Sequence, residues 1–168
     1  VTTSISPSSG ITTFLVSLES GGKVAIIAIP GGGGGAGYTS PTGTFSAPPN
    51  RDFDANTAIA NNAITFTQTT FSNGDRVVYD NNSNPNLTNL TSGTTYYVVN
   101  RNSTTHTLQL AATQGGTPIT LSATAGQEIH QLRGVTAQAG AVTVSAGAIT
   151  AVAIADAGSG YTVGASPT

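Results

Sequence analysis

The sequence predicts an all-β protein: short antiparallel strands in a compact sandwich or barrel-like module, flanked by two related β-hairpin motifs. Three observations lead there. Apolar residues recur in short runs bounded by Gly, Pro, Asn and Ser, the pattern of strands punctuated by turns. No apolar spacing of i, i+3, i+4 persists long enough for a helix. Finally, one motif occurs twice. Residues 22–29 form an apolar run followed by a glycine-rich loop and Gly37-Tyr38-Thr39, and residues 147–154 are followed by a shorter loop and Gly160-Tyr161-Thr162.

Taken in chain order, the opening residues alternate small polar and apolar groups, with a turn at Pro7-Ser8-Ser9-Gly10 and then a strand expected from Ile11 to Leu18. Residues 14–18 and 24–29 then form a hairpin about the Gly21-Gly22 turn. Val24, Ile26 and Ala28 face one way, and Ala25, Ile27 and Ile29 the other. Apolar groups on both sides predict a strand sandwiched between layers or subunits. The run from Gly31 to Gly35 invites a phosphate-loop reading. No Gly-Lys-Ser/Thr or helical pattern follows it, so a turn before the Gly-Tyr-Thr element is the better reading. Residues 41–62 are Pro-, Asn- and Ala-rich, with a linker expected at Pro48-Pro49-Asn50.

From Ala63 the pattern becomes denser. Strands are expected at 63–66, 76–79, 94–99, 107–111, 119–121 and 129–132, each bounded by turn residues. Asp75 follows a tight turn, where its carboxylate can accept backbone N–H bonds. In Thr95-Tyr96-Tyr97-Val98-Val99 alternation sends one tyrosine to the core and the other outward. The domain plan is therefore an N-terminal hairpin motif at 1–50, a linker at 51–62, a central antiparallel module at 63–134 and an incomplete C-terminal copy of the motif at 135–168.

Composition narrows the function. The chain has 168 residues, of which 7% are charged, against about 25% in typical soluble domains. Yet 38% are hydrophobic, too many for a disordered tail. A formal net charge of -2 supplies no footprint for nucleic acid or an anionic membrane surface. No apolar run approaches the length of a membrane span and no basic leader is visible, so neither membrane insertion nor a signal peptide is expected. The lack of Cys excludes disulfides and thiolate metal sites. The lack of Met implies a chain that is processed, or a segment of a longer one.

The segments Gly74-Asp75-Arg76-Val77-Val78-Tyr79, Leu90-Thr91-Ser92-Gly93-Thr94-Thr95-Tyr96-Tyr97-Val98-Val99 and Leu108-Gln109-Leu110-Ala111 resemble a module of structural proteins of tailed phages, familiar from marine and cyanobacterial phages. The flanking Gly-Tyr-Thr-x-Pro-Thr copies resemble the repeat that accompanies that module. The likeness covers most of the chain, residues 43–62 being the main gap. It implies a virion component, such as a capsid decoration, fibre or tail protein, that contacts other virion proteins and itself. Similar modules occur in bacterial surface and adhesin-like proteins.

The chemistry-bearing residues are sparse. Seven acidic residues are scattered, mostly at expected turns, and His106 and His130 fall on expected strands. No nucleophile elbow or His-rich motif is present, so no enzyme activity and no cofactor are expected, and the histidines are taken as surface or cross-strand polar groups. Asp52, Asp54 and Asn56 alternate like the opening of a calcium loop. The required glycine and final glutamate are missing, so a solvated turn is the better reading. The second motif copy stops after Ser166-Pro167-Thr168, whereas the first continues into a Thr/Phe strand that the N-terminus resembles. This points to self-assembly in which Val1, Thr3 and Ile5 of one subunit complete Ile149, Val152, Ile154, Tyr161 and Pro167 of the next. Tyr38 and Tyr96 are candidate surface contacts. The alternatives are a bacterial extracellular filament or surface-layer subunit, and a carbohydrate-binding module using Tyr38, Tyr96 or Tyr161, the last weakened by the absence of Trp. The expected location is the virion or the cell exterior.

Overall fold

The computed structural model describes residues 3–6, 14–31 and 34–162, and among them it is all-β with every strand pair antiparallel. The strands in chain order are β1 (Thr3–Ser6), β2 (Leu15–Glu19), β3 (Lys23–Ala28), β4 (Thr42–Phe45), β5 (Asn50–Asp54), β6 (Ile59–Ala60), β7 (Ala63–Thr65), β8 (Arg76–Asp80), β9 (Thr95–Asn102), β10 (Thr107–Ala111), β11 (Ile129–Gly134), β12 (Gln138–Ser145) and β13 (Ala148–Asp156). Seven of them form one sheet in the order β5-β11-β8-β9-β10-β7-β6, and the remainder form the pairs β1-β4, β2-β3 and β12-β13.

The seven-stranded sheet follows from strict alternation. Val77 and Tyr79 on β8, Tyr96 and Val98 on β9, Leu108 and Leu110 on β10, and His130 and Leu132 on β11 are all buried. With a period of two these side chains share one face, and they join Phe53 and Ile64 in a single core. Phe53, on the edge strand β5, meets Phe66, just past β7 near the opposite edge, with ring centroids 5.7 Å apart. The sheet therefore curves around its core while remaining an open sheet rather than a closed barrel. Loop residues Phe71, Leu87, Leu90 and Leu121 cover what the strands leave open.

Two expected elements differ. Residues 51–62 do not form a linker, because β5 and β6 belong to the main sheet. Phe53 alternates inward between Asp52 and Asp54, and five residues of β5 pair with β11; the polar composition of this stretch hid a strand with one buried face. Residues 119–121 are not a strand either. Pro118, which has no N–H to donate, makes only an isolated bridge to Ala111, and the N–H of Leu121 bonds instead to Asn62 Oδ1 at 3.3 Å.

The hairpins β2-β3 and β12-β13 belong to the two motif copies and share their pairing and bulge next to the turn, while β12-β13 has two further irregularities between Gln138 and Val142. Ser17 pairs with Ile26 and Leu18 with Val24, so Ala25 is an extra residue on β3. Thr143 pairs with Ala151 and Val144 with Ile149, leaving Thr150 as the same bulge on β13. Val16, Ser17 and Ile26 thus correspond to Val142, Thr143 and Ala151. The N-terminal strand β1 pairs with β4, Thr3 opposite Phe45 and Ile5 opposite Gly43. Val1 and Pro167 lie outside the described residues.

Candidate functional site

The structure brings the two motif copies together in a reciprocal joint. Tyr38 N–H donates to Gly147 O, and its counterpart Tyr161 N–H donates to Gly22 O, both at 3.0 Å. Ile149 N–H donates to Gly34 O, and its counterpart Val24 N–H donates to Ala157 O, both at 2.9 Å. Each copy therefore offers its hairpin turn to the Gly-Tyr-Thr element of the other, as two subunits do across an isologous interface. Glycine is required at these turns. Gly22 and Gly147 have φ of 61° and 77°, and a Cβ on Gly22 would collide with the backbone of Tyr161.

Tyr161 seals the joint. It is 2% exposed, and its hydroxyl donates to Ser46 O at 2.9 Å while accepting from Ala137 N–H at 2.8 Å. Burial raises its pKa above 10.0, against the smaller opposing effect of the Ala137 bond. Tyr38 is 4% exposed and Tyr96 6%, so the expected surface contacts are corrected. Tyr38 packs in the joint, and Tyr96 enters the sheet core, where its hydroxyl accepts from Thr91 N–H at 2.9 Å. The signal for Tyr96 lay in the alternation, which sends Tyr96 in with Val98 and leaves Tyr97 half-buried. Of the remaining assembly residues, Ile149 is buried, while Val152 and Ile154 are half-buried beneath the layer formed by β4, whose Gly43 faces Ala139, Val142 and Val152. Ile154 also packs with Val24, Ala137, Tyr161 and Phe45 in a second, smaller cluster.

Charges at the start of β8 fasten both copies to the main sheet. Asp75 has a fully buried side chain; its Oδ1 lies 2.8 Å from Lys23 Nζ of the first copy, and its Oδ2 accepts Ser72 N–H at 2.7 Å. The next residue, Arg76, pairs with Asp156 of the second copy, and Ser159 Oγ donates to Arg76 O. Burial pushes the Asp156 carboxyl up, but the Arg76 guanidinium and the Gly158 N–H outweigh it and hold it below 3.8. Sequence reasoning missed both partners. The legible signal was the adjacent opposite charges Asp75-Arg76 in a chain with so few.

A second polar group lies within the main sheet. The His130 ring stacks on Phe53, its cross-strand partner, and on Tyr79, with centroids at 5.8 and 5.7 Å, so of the two expected readings it is the cross-strand polar group, buried in the core. Leu87 N–H donates to Tyr79 Oη at 3.0 Å, and the same hydroxyl shares a hydrogen bond with His130 Nδ1 at 2.7 Å. On the other side of the ring, His130 Nε2 lies 3.4 Å from Glu128 Oε2. Burial raises the Tyr79 pKa, more than the Leu87 bond lowers it. Although the order Tyr-His-Glu suggests proton transfer, neither ring is exposed and the group satisfies buried polar atoms. His106 lies in a turn with φ of 56°, not on a strand.

Asp52 and Asp54 do not converge with Asn56 on a shared point. Asp52 Oδ1 accepts from Gln131 Nε2 at 2.9 Å, while Asp54 Oδ1 accepts the N–H groups of Asn56 and Glu128 at 3.0 and 3.3 Å, closing the turn after β5. Among the described residues no three His, Cys, Asp or Glu side chains cluster to hold a metal. Comparison with models of known protein families, with curated proteins and with solved structures found no significant match.

Proposed function

We propose that this chain is a non-enzymatic structural protein that assembles with copies of itself through its β-hairpins, and that it serves as a virion component of a tailed phage, in a capsid decoration, fibre or tail. The observation that carries this reading is the outer face of the β2-β3 hairpin. Leu15 and Ile26 are each 59% exposed on it, beside exposed Ala25 and Ala28. A two-stranded sheet that leaves large apolar side chains in water has a surface suited to burial against another protein. The module resemblance in residues 71–111 supplies the virion context. Sedimentation velocity over a concentration series, with negative-stain microscopy of the same samples, tests the reading. Ordered oligomers or filaments are expected; a monomer at the highest soluble concentration overturns it.

A further inference from the structure

We propose that the N-terminal arm, formed by the hairpin β2-β3 with the strands β1 and β4, is exchanged between copies of the chain. The arm of one chain then clasps the second motif copy of another, as it clasps its own here. The inference rests on the self-assembly reading and names the surface and the partner, a second copy. The seat is the joint itself. Val24 N–H donates to Ala157 O and Tyr38 N–H to Gly147 O, while Tyr161 N–H donates to Gly22 O and Ile149 N–H to Gly34 O. Gly43 of β4 lies on Ala139, Val142 and Val152, and Lys23 Nζ reaches Asp75. None of these contacts depends on which chain supplies the arm.

Three features make the arm exchangeable. It has no core of its own: its buried hydrophobic side chains among the described residues are Val24 and Tyr38, and Val24 shares its cluster with Ala137 and Tyr161 of the second copy. Two-stranded ribbons are marginal alone, so an arm that leaves one seat must find another. Its strand pairing is internal, β1 with β4 and β2 with β3, and so moves with it. The link to the main sheet is short, Ser46-Ala47-Pro48-Pro49 between β4 and β5, and a short hinge invites exchange. Ala47 and Pro48 each precede a proline, which holds them extended, and an extended link reaches away from its own sheet as readily as toward it. The clasps within and between chains share their contacts and differ in the hinge and in effective concentration. Dilute solution favours the clasp within a chain, and the exchanged form grows with protein concentration. Reciprocal exchange closes a dimer, whereas arms passed to successive chains build a filament.

The test uses three variants of the whole chain. A flexible Gly/Ser insert between Ala47, which is exposed, and Pro48 lengthens the hinge and lets the arm settle on its own chain. Sedimentation velocity is expected to show self-association weakened by about tenfold or more, with urea unfolding unchanged. Assembly through surface contacts alone would not respond to hinge length. Gly22→Val spoils the arm, because a Cβ there meets the Tyr161 backbone. Gly147→Val spoils the seat, being strained at φ of 77° and close to Gly37 N. Neither variant is expected to assemble alone. An equimolar mixture is expected to form a one-to-one complex, in which the intact arm of Gly147→Val clasps the intact seat of Gly22→Val. Circular dichroism checks that both are folded, and if either is not, the hinge insert decides. An insert variant that assembles like the wild type overturns the inference and leaves self-assembly standing, as does a mixture of folded glycine variants that stays monomeric. A wild type that is monomeric at the highest soluble concentration overturns both.

Discussion

Tyr79 and His130 show how a polar pair can sit in the core of a sheet. The tyrosine hydroxyl bridges two buried groups, accepting from Leu87 N–H and sharing a hydrogen bond with His130 Nδ1. Tyr79→Phe keeps the ring and removes the hydroxyl partner of both neighbours at a fully buried position. A buried donor or acceptor left unpaired costs about 1–3 kcal/mol, so this variant is expected to lose roughly 2–4 kcal/mol in urea unfolding. A loss of a few tenths would mean that the two groups find other partners. Asp156 gives the residue-scale pH dependence. Its carboxyl is held below 3.8 in the folded chain, so the stabilisation is present above that value and is lost as the pH falls through the folded value. Unfolding curves measured from about pH 5 down to about pH 2 should steepen there, and Asp156→Asn should flatten that part of the profile.

At the scale of elements, the duplicated motif was legible in sequence but its role was not. The recurrence of Gly-Tyr-Thr and of the apolar runs identified the copies and their hairpins. A repeat in one dimension does not say whether its copies stack, lie apart or clasp each other. The reciprocal bonds of Tyr38 and Tyr161 use backbone carbonyls of Gly147 and Gly22, atoms common to every residue and therefore silent in a sequence. β5 was hidden for a different reason: one inward residue, Phe53, does not make an alternating pattern. Clasped copies still need a fixed seat, and the Lys23–Asp75 pair provides one. Lys23→Met leaves the buried Asp75 carboxylate without its counter-charge and is expected to cost about 2–4 kcal/mol, somewhat under the cost for a fully buried pair because Lys23 is partly exposed. Lys23→Met/Asp75→Asn should recover part of that loss, and a double-mutant cycle by chemical unfolding measures the coupling. Additive single effects would show that the pair does not couple the first copy to the sheet.

In the whole molecule, stability is unevenly divided. The large core draws its buried members from Phe53 to Leu132, all within the span of the seven-stranded sheet. The joint between the copies buries Val24, Ala137 and Tyr161 together, with partly buried Val16, Leu18, Ile27, Phe45 and Ile154 packed around them. Two-stranded ribbons are marginal alone, so the hairpins lean on each other and, through Asp75, Arg76 and Ser159, on the sheet. The dependence in the other direction is small, because among the described residues those contacts gather at one end of the sheet, at the start of β8, the end of β11 and the loop residues Phe71 and Ser72 that lead into β8. A fragment comprising residues 50–134 is therefore expected to fold by itself, with cooperative unfolding and dispersed amide resonances. Its main loss would be at one end of the sheet, where removal of Lys23 leaves the Asp75 carboxylate open to solvent. The complementary prediction concerns the hairpins: without the sheet, residues 14–46 and 135–162 mixed as separate peptides should show no stable β-structure. If the 50–134 fragment is instead a disordered chain by circular dichroism, the clasped copies are an integral part of the core, and the molecule folds as one indivisible unit.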